Sequence, residues 1–517
     1  METYQSVKEK YSGLSENSLL EIIAKLTGEI STLRIMLFST KRERFQPDPD
    51  GQPALFDEVE KIISEPDADA EENEKDETEV SAHRRARGKR KPLPADLPRF
   101  RHEIDLPESE KICPLHGMPL EKIGEEVIEK LDIVPAKVFV EEQVIFKYKC
   151  PCCEGNITEA SRNLDPIPKS FAAPGLLAYI ATAKYTDGLP LYRLERIFQR
   201  YGIDLSRTTM ARWMLAMGEL IQPLINLMHE DLLTSPVIHG DETRVQVLDE
   251  PGRSAQSQSY MWTLARRGDD PIVLFKYYEN RSKRSAHDLL NSFKGILICD
   301  GYKVYQQIGL VLAFVVAGCM AHVRRKFWHA EKIAKKEAKK TSSIRASEAM
   351  SFIRKLYAIE KKIKDKPPDE ILAIRQLESV PIMNKFHAWL IEMEAIMLPS
   401  SPTGKAVKYA LGQWEKLNQF TNNGLIAIDN NFMESHIRPF VVGRKAWMFA
   451  ATPKGAHASS AIYSLVETAK ANGVDPYDYL RLIFKELPMA KTIEDFEKLL
   501  PYRAKHRFAL NKFQTSL

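Results

Sequence analysis

A chain of 517 residues exceeds what one hydrophobic core usually serves, and its length predicts about three or four domains. Its 44% hydrophobic content is ordinary for a globular protein, and no apolar run is long enough to span a bilayer; the best candidate, Gly309 to Cys319, is strand-length. The formal net charge of +4 excludes no class of partner, while an N-terminus (METYQSVKEK) without a secretory apolar stretch predicts a cytoplasmic protein with no membrane partner.

Leu19, Ile23, Leu26, Ile30, Leu33 and Leu37 alternate four- and three-residue steps, the seam of a heptad repeat. Such a seam buries itself against a second copy of the chain or within a helical hairpin, so residues 1–46 are read as a helical heptad segment. Residues 47–98 form an acidic, then basic stretch that holds too few large apolar residues to offset ordering entropy, and are read as a disordered linker. Its basic run, Arg84 to Lys91, either contacts phosphates or balances the acidic block in solvent.

Two knuckles follow, Cys113-Pro-Leu-His116 and Cys150-Pro-Cys-Cys153. Ligand-x-x-ligand spacing lets two side chains of one tight turn reach a tetrahedral zinc, so Cys113, His116, Cys150 and Cys153 are expected to hold one structural Zn²⁺ within a module at 99–160. Cys153 is preferred to Cys152 because it keeps that spacing. Reduced core cysteines are the alternative, and four protein ligands leave no open position for catalysis.

Residues 161–232 read as helices. Within Leu191 to Met214, a helix, a break at Gly202 and an N-cap at Ser206 spell a helix-turn-helix. Arg207 and Arg212 on its second helix are candidate DNA contacts, although such hairpins also serve plain packing. Short β-branched or apolar runs then predict strands at Ser235–His239, Tyr260–Ala265, Ile272–Tyr277, Gly295–Cys299 and Leu312–Ala317. A helical pattern returns at about 323–400. An αβ core over 233–452, interrupted by that helical insertion and followed by a helical region at 453–517, fits the order.

Cutting DNA requires an activated attacking oxygen and a stabilised leaving oxygen beside a polyanion. Two divalent cations about 3.5–4 Å apart supply both, held by carboxylates converging from separate elements. Asp241 follows Pro-Val-Ile-His-Gly and Asp300 follows Gly-Ile-Leu-Ile-Cys, each an acid at an expected strand terminus beside a glycine that leaves room for substrate. Glu434 lies in Ile428-Asp-Asn-Asn-Phe-Met-Glu-Ser-His-Ile-Arg-Pro, where Asp429 is the candidate N-cap and Glu434 shares a helical face with Arg438, a candidate phosphate contact. Asp429 is the rival third acid. Arg444 and Lys445 are further phosphate candidates, or part of a solvated basic loop. Singly, each acid reads as an ordinary surface residue; the combination carries the argument.

Several stretches occur together in one order: Met36-Leu-Phe-Ser-Thr-Lys-Arg-Glu, the two knuckles, Leu131-Asp-Ile-Val-Pro-Ala, His239-Gly-Asp-Glu-Thr and Cys299-Asp-Gly-Tyr. They continue with Gly318-Cys-Met-Ala-His-Val-Arg-Arg-Lys-Phe, Asp429-Asn-Asn-Phe-Met-Glu, Gly443-Arg-Lys-Ala-Trp-Met-Phe and Ala461-Ile-Tyr-Ser-Leu-Val-Glu-Thr-Ala-Lys. In these the chain resembles, over nearly its whole length, bacterial insertion-sequence transposases of the family numbered sixty-six. The resemblance implies a multidomain α+β protein with a ribonuclease-H-like catalytic core, preceded by a zinc-binding module and an N-terminal coiled-coil-like helix. It implies DDE-type cleavage and strand transfer at Asp241, Asp300 and Glu434 with two Mg²⁺ or Mn²⁺ ions. Its partners are then the element's terminal inverted repeats and target DNA, a second copy of the chain, and possible helper proteins, on the nucleoid when DNA is bound. Cys319 and His322 match a Cys-x-x-His element of several transposase families, read as accessory rather than zinc-binding because two further ligands are not evident. One departure is Ser435, where the family often has arginine after the glutamate; another is His116, where many relatives have cysteine. A non-catalytic zinc-dependent DNA-binding protein and a structure-specific nuclease are the competing readings.

Overall fold

The computed structural model describes Met118 and residues 138–148, 158–159, 164–336 and 340–511. The heptad segment, the linker and the zinc ligands Cys113, His116, Cys150 and Cys153 lie outside the described residues. From Glu141 onward the described residues belong to one compact unit. A two-residue antiparallel ladder, Lys147–Tyr148 with Thr158–Glu159, precedes the main body.

Four helices come first: α1 (Pro174–Tyr185), α2 (Leu191–Arg200), α3 (Arg207–Leu220) and α4 (Gln222–Leu233). α2 ends where Gly202 adopts a positive φ of 74°, open to glycine at no steric cost. Ser206 then caps α3 by accepting the Thr209 N–H at 3.2 Å. Met210, Trp213, Met214 and Met217 form the buried face of α3. The next residue, Gly218, allows close approach to another helix, because a Cβ there would stand 2.6 Å from that of Ala458.

The α+β body is built on one mixed five-stranded sheet, ordered β3-β2-β1-β4-β5. Its strands are β1 (Val237–Gln246), β2 (Gln258–Arg266), β3 (Ile272–Tyr278), β4 (Ile296–Cys299) and β5 (Val315–Gly318). The first three form an antiparallel meander, and β4 and β5 add in parallel on the other side of β1. The parallel additions require crossovers, supplied by α5 (Lys283–Leu290) and α6 (Lys303–Leu312). The last strand is shorter than its apolar run suggests. Gly309 to Leu312 finish α6, and the turn at Ala313, with φ 61°, consumes the next residue before β5 begins.

A helical block fills the gap before the chain returns to the sheet: α7 (Met320–Lys336), α8 (Lys340–Ile363), α9 (Pro368–Ile374), α10 (Val380–Ile396) and α11 (Pro402–Gly412). It starts directly from β5 and runs some ten residues past the expected end at 400, because Ser401 caps a further helix by accepting the Gly404 N–H. Phe327, Phe386, Met383, Leu390 and Val407 make its core. The C-terminal part comprises α12 (Asn431–Trp447), α13 (Pro453–Ala471), α14 (Pro476–Glu486), α15 (Ile493–Leu499) and α16 (Pro501–Asn511). α13 closes the sheet edge: Ser464 and Thr468 accept the β3 N–H groups of Phe275 and Val273 at 2.8 and 3.0 Å. Otherwise those donors would be buried without partners. Among the described residues no helix is long and apolar enough to cross a membrane.

Candidate active site

β1 and β4 run parallel with Val237 beside Ile296 and His239 beside Ile298. Extended two residues past the ladder, the same register sets Asp241 opposite Asp300. Asp300 directly follows β4, but Asp241 does not end its strand. β1 runs on to Gln246 because β2 pairs with its far half, so Asp241 is terminal only with respect to the parallel neighbour. The glycines beside the acids do not open space for a substrate. A Cβ on Gly240 would meet Leu297 at 3.0 Å, and one on Gly301 would meet the Tyr409 hydroxyl at 3.0 Å.

Glu434 returns across about 130 residues of sequence by two splices. Met320 donates its N–H to Ile428 O at 3.0 Å, and the Asn430 N–H reaches Cys319 Sγ at 3.2 Å, so the strand end at β5 grips the segment entering α12. Asn430, not Asp429, is the N-cap residue of α12, and its side chain makes no cap bond. Its amide instead donates to Gly240 O at 3.0 Å, while its carbonyl accepts from His239 Nδ1 at 2.8 Å. Beyond α12 the chain pairs with the end of β1, Ala450 N–H donating to Gln246 O at 2.9 Å. α12 is therefore tied to β1 at both ends, and Glu434 lies in its first turn.

The three acids share one electrostatic environment. Burial first, then the carboxylates of Glu242, Asp300 and Glu434, push Asp241 well above the usual carboxylate range, and one N–H bond from Glu242 at 2.8 Å opposes this only in part. Asp300 accepts the Tyr302 N–H at 2.9 Å. Asp429 is occupied elsewhere, by the Tyr357 hydroxyl at 2.8 Å and the Asn431 N–H at 3.1 Å. On β1, Asp241 and Thr243 share one face with His239, and Glu242 takes the other. There Glu242, with a side chain 1% exposed, accepts from Tyr305 and pairs with Arg281, which also stands 3.9 Å from Asp300. Burial and then Asp300 push Glu242 up to about 7 against the pull of Arg281 and Tyr305. Sequence reasoning missed Glu242 and Arg281; the available signal was a second acid directly after Asp241, which strand alternation sends to the opposite face.

The cationic candidates separate. Arg325 of α7 pairs with Glu434 at 3.1 Å; Arg438, the candidate phosphate contact, is half-buried on α12. Arg325 was legible as the residue three beyond His322 on one helical face. Arg444 and Lys445 are not in a loop but in the last turn of α12. Arg444 reaches Thr243 Oγ1 at 3.4 Å, and burial, then Arg244, pulls its value down. Arg207 and Arg212 are exposed on α3, with the Arg207 N–H donated to Glu195 at 3.0 Å. Cys319 and His322 find a third neighbour that spacing did not show: with Glu434 they offer ligand atoms within 4.8 Å of one another.

Comparison with known proteins accounts for most of the chain. The model of the Transposase IS66 family matches residues 169–458, and the IS66 C-terminal element matches 464–502. The zinc-finger binding domain of transposase IS66 matches 110–154, spanning both knuckles and supporting zinc there. A segment described as Transposase C of IS166 homeodomain matches 25–101, across the stretch expected to be a linker. Protein y4jD of Sinorhizobium fredii is 33% identical over 432 residues, 80% of this chain and 81% of its own length. Protein y4qI of the same organism is 31% identical over 508 residues, 95% and 90% respectively, and both are described as uncharacterized.

Proposed function

Since the chain belongs to the IS66 family of transposases, we propose that it cleaves the ends of an insertion sequence and joins them to target DNA, using Asp241, Asp300 and Glu434. The observation that carries this reading is the convergence of three acids, from β1, the end of β4 and the start of α12, with Asp300 and Glu434 among the carboxylates that raise Asp241. The strand order β3-β2-β1-β4-β5, with β2 antiparallel to its neighbours, supports a ribonuclease-H-like core.

The donor set fits hard divalent cations: all oxygens, on three elements, with Glu434 Oε1 buried and unpaired. Held by Asp241, Asp300 and Glu434, two Mg²⁺ or Mn²⁺ ions would supply activation of the attacking oxygen and charge stabilisation at the leaving one. The chain's own groups set the stage. Arg325 fixes Glu434 Oε2 and leaves Oε1 without a hydrogen-bond partner. Asn430 locks the start of α12 onto the backbone of the strand carrying Asp241. Arg444 lies against Thr243, on the same face as Asp241 and two residues along, where its guanidinium can hold a phosphodiester beside the acids. Tyr409 and Gln413 close the space around Gly301 beside Asp300. The exposed arginines of α3 and the zinc-finger segment serve recognition of the terminal repeats, and paired element ends call for at least two copies of the chain.

A strand-transfer assay on element-end DNA with Mg²⁺ tests the reading. Asp241→Asn, Asp300→Asn and Glu434→Gln should each abolish cleavage and joining while retaining binding to the same DNA. Cleavage retained by any one of them removes that residue from the site.

A further inference from the structure

Cys319 and His322 meet Glu434 in a cluster whose sulfur and imidazole the proposed phosphoryl transfer does not use. Cys319 follows β5 and His322 lies in the first turn of α7, so the Cys-x-x-His spacing puts a sulfur and an imidazole on one helical turn. α12 contributes Glu434, and one ligand atom from each lies within 4.8 Å of the others. His322 Nδ1 and Glu434 Oε1 are both shielded from solvent, have no hydrogen-bond partner, and stand 3.7 Å apart. Buried polar atoms are almost always satisfied, so an unpaired couple facing each other asks for something between them. The Cys319 sulfur accepts the Asn430 N–H at 3.2 Å; burial first, then Glu434, keep it a thiol in the metal-free chain, so a bound cation has to displace its proton. Arg325 occupies the second Glu434 oxygen, so one oxygen alone faces this cluster.

Sulfur, imidazole and carboxylate together suit a borderline-soft cation and are a poor set for Mg²⁺. Bond lengths near 2.0–2.3 Å put tetrahedral zinc ligands about 3.3–3.8 Å apart, which the His–Glu pair already meets and the sulfur reaches by closing about 1 Å. We propose that Cys319, His322 and Glu434 form a Zn²⁺ site distinct from the knuckles, whose occupation withdraws Glu434 from the hard-cation site and switches off strand cleavage. Only the switching clause rests on the phosphoryl-transfer reading. On binding, the Cys319 S–H bond breaks, its proton passes to solvent and a metal–sulfur bond forms, with no change of oxidation state.

The test is equilibrium dialysis of the full chain against Co²⁺, whose near-ultraviolet charge-transfer absorption reports thiolate ligation and whose visible bands report tetrahedral geometry. The knuckle ligands are common to parent and Cys319→Ala, so their difference isolates this site. The parent should bind one more Co²⁺ per chain, with a difference spectrum carrying thiolate charge transfer. Glu434→Gln, which leaves the buried cysteine in place, should weaken that added equivalent by about tenfold or more. Equal stoichiometry and equal spectra in parent and Cys319→Ala, or undiminished affinity in Glu434→Gln, overturn the site. Asp241→Asn separates the two readings: loss of the added equivalent there would place the cation among the carboxylates and overturn the proposal. Retained cleavage in Asp241→Asn would instead overturn the catalytic assignment and leave the zinc site standing. Full Mg²⁺-dependent cleavage by zinc-loaded parent would refute the switch.

Discussion

Replacing Asp241 with asparagine removes one negative charge from a cluster whose members repel one another. The register of β1 and β4, extended two residues, sets Asp241 opposite Asp300, and ordinary strand spacing gives a separation of about 4.8 Å. At that separation and an effective dielectric near 20, two like charges repel by about 3.5 kcal/mol. Solvent at the part-buried site screens some of this, leaving about 2 kcal/mol as the expected gain in stability of the magnesium-free variant at pH 8. For a unit of this size that is a rise in melting temperature of about 2–3 °C. The sign follows from burial, then Glu242, Asp300 and Glu434, all raising Asp241. The folded state holds that proton more tightly than the unfolded one, so parent and variant match below about pH 3.9 and their gap opens as pH rises. Thermal melts in magnesium-free buffer that retains zinc provide the measurement, followed by Mg²⁺ titration. Mg²⁺ should raise the parent's melting temperature and leave the variant's nearly unchanged. A variant less stable than the parent without magnesium, or equally stabilised by it, would show that the acids do not form one cation site.

Arg281→Met should cost about 3 kcal/mol at pH 8, where it strands the charge of Glu242, and much less at pH 5, where Glu242, already pushed up to about 7 by burial and Asp300, is neutral. A loss independent of pH in urea unfolding would contradict this. Asn430→Ala deletes the bonds to His239 and Gly240, and should cost about 2–3 kcal/mol and blunt the Mg²⁺-dependent melting shift, because it unties Glu434 from the strand carrying Asp241. An unaltered Mg²⁺ response would make Asn430 merely structural. Ser206→Ala should cost about 1 kcal/mol and speed hydrogen exchange in the first turn of α3; unchanged exchange would mean the cap is idle.

Local chemistry made much of this legible. The break at Gly202 and the cap at Ser206 are properties of a few consecutive residues, and α2 and α3 form where those signals lie. The sheet strands were visible as apolar runs, yet their ends were not. β1 is longer than expected because β2 pairs with its second half, and β5 shorter because α6 takes the start of its run. The three acids stood out as residue types in their settings, but spacing along the chain carries no distance between them. Tertiary structure alone decided that Glu434 arrives beside Asp241, through Asn430 and Cys319, and that Arg325 meets it. Period-two alternation sends Asp241 and its neighbour Glu242 to opposite faces, and which face meets α12 and which meets Arg281 depends on long-range packing. Helix caps and turns are encoded within a few residues, whereas a constellation drawn from residues 241, 300, 319, 322 and 434 exists only once the sheet and the helical block have folded around it.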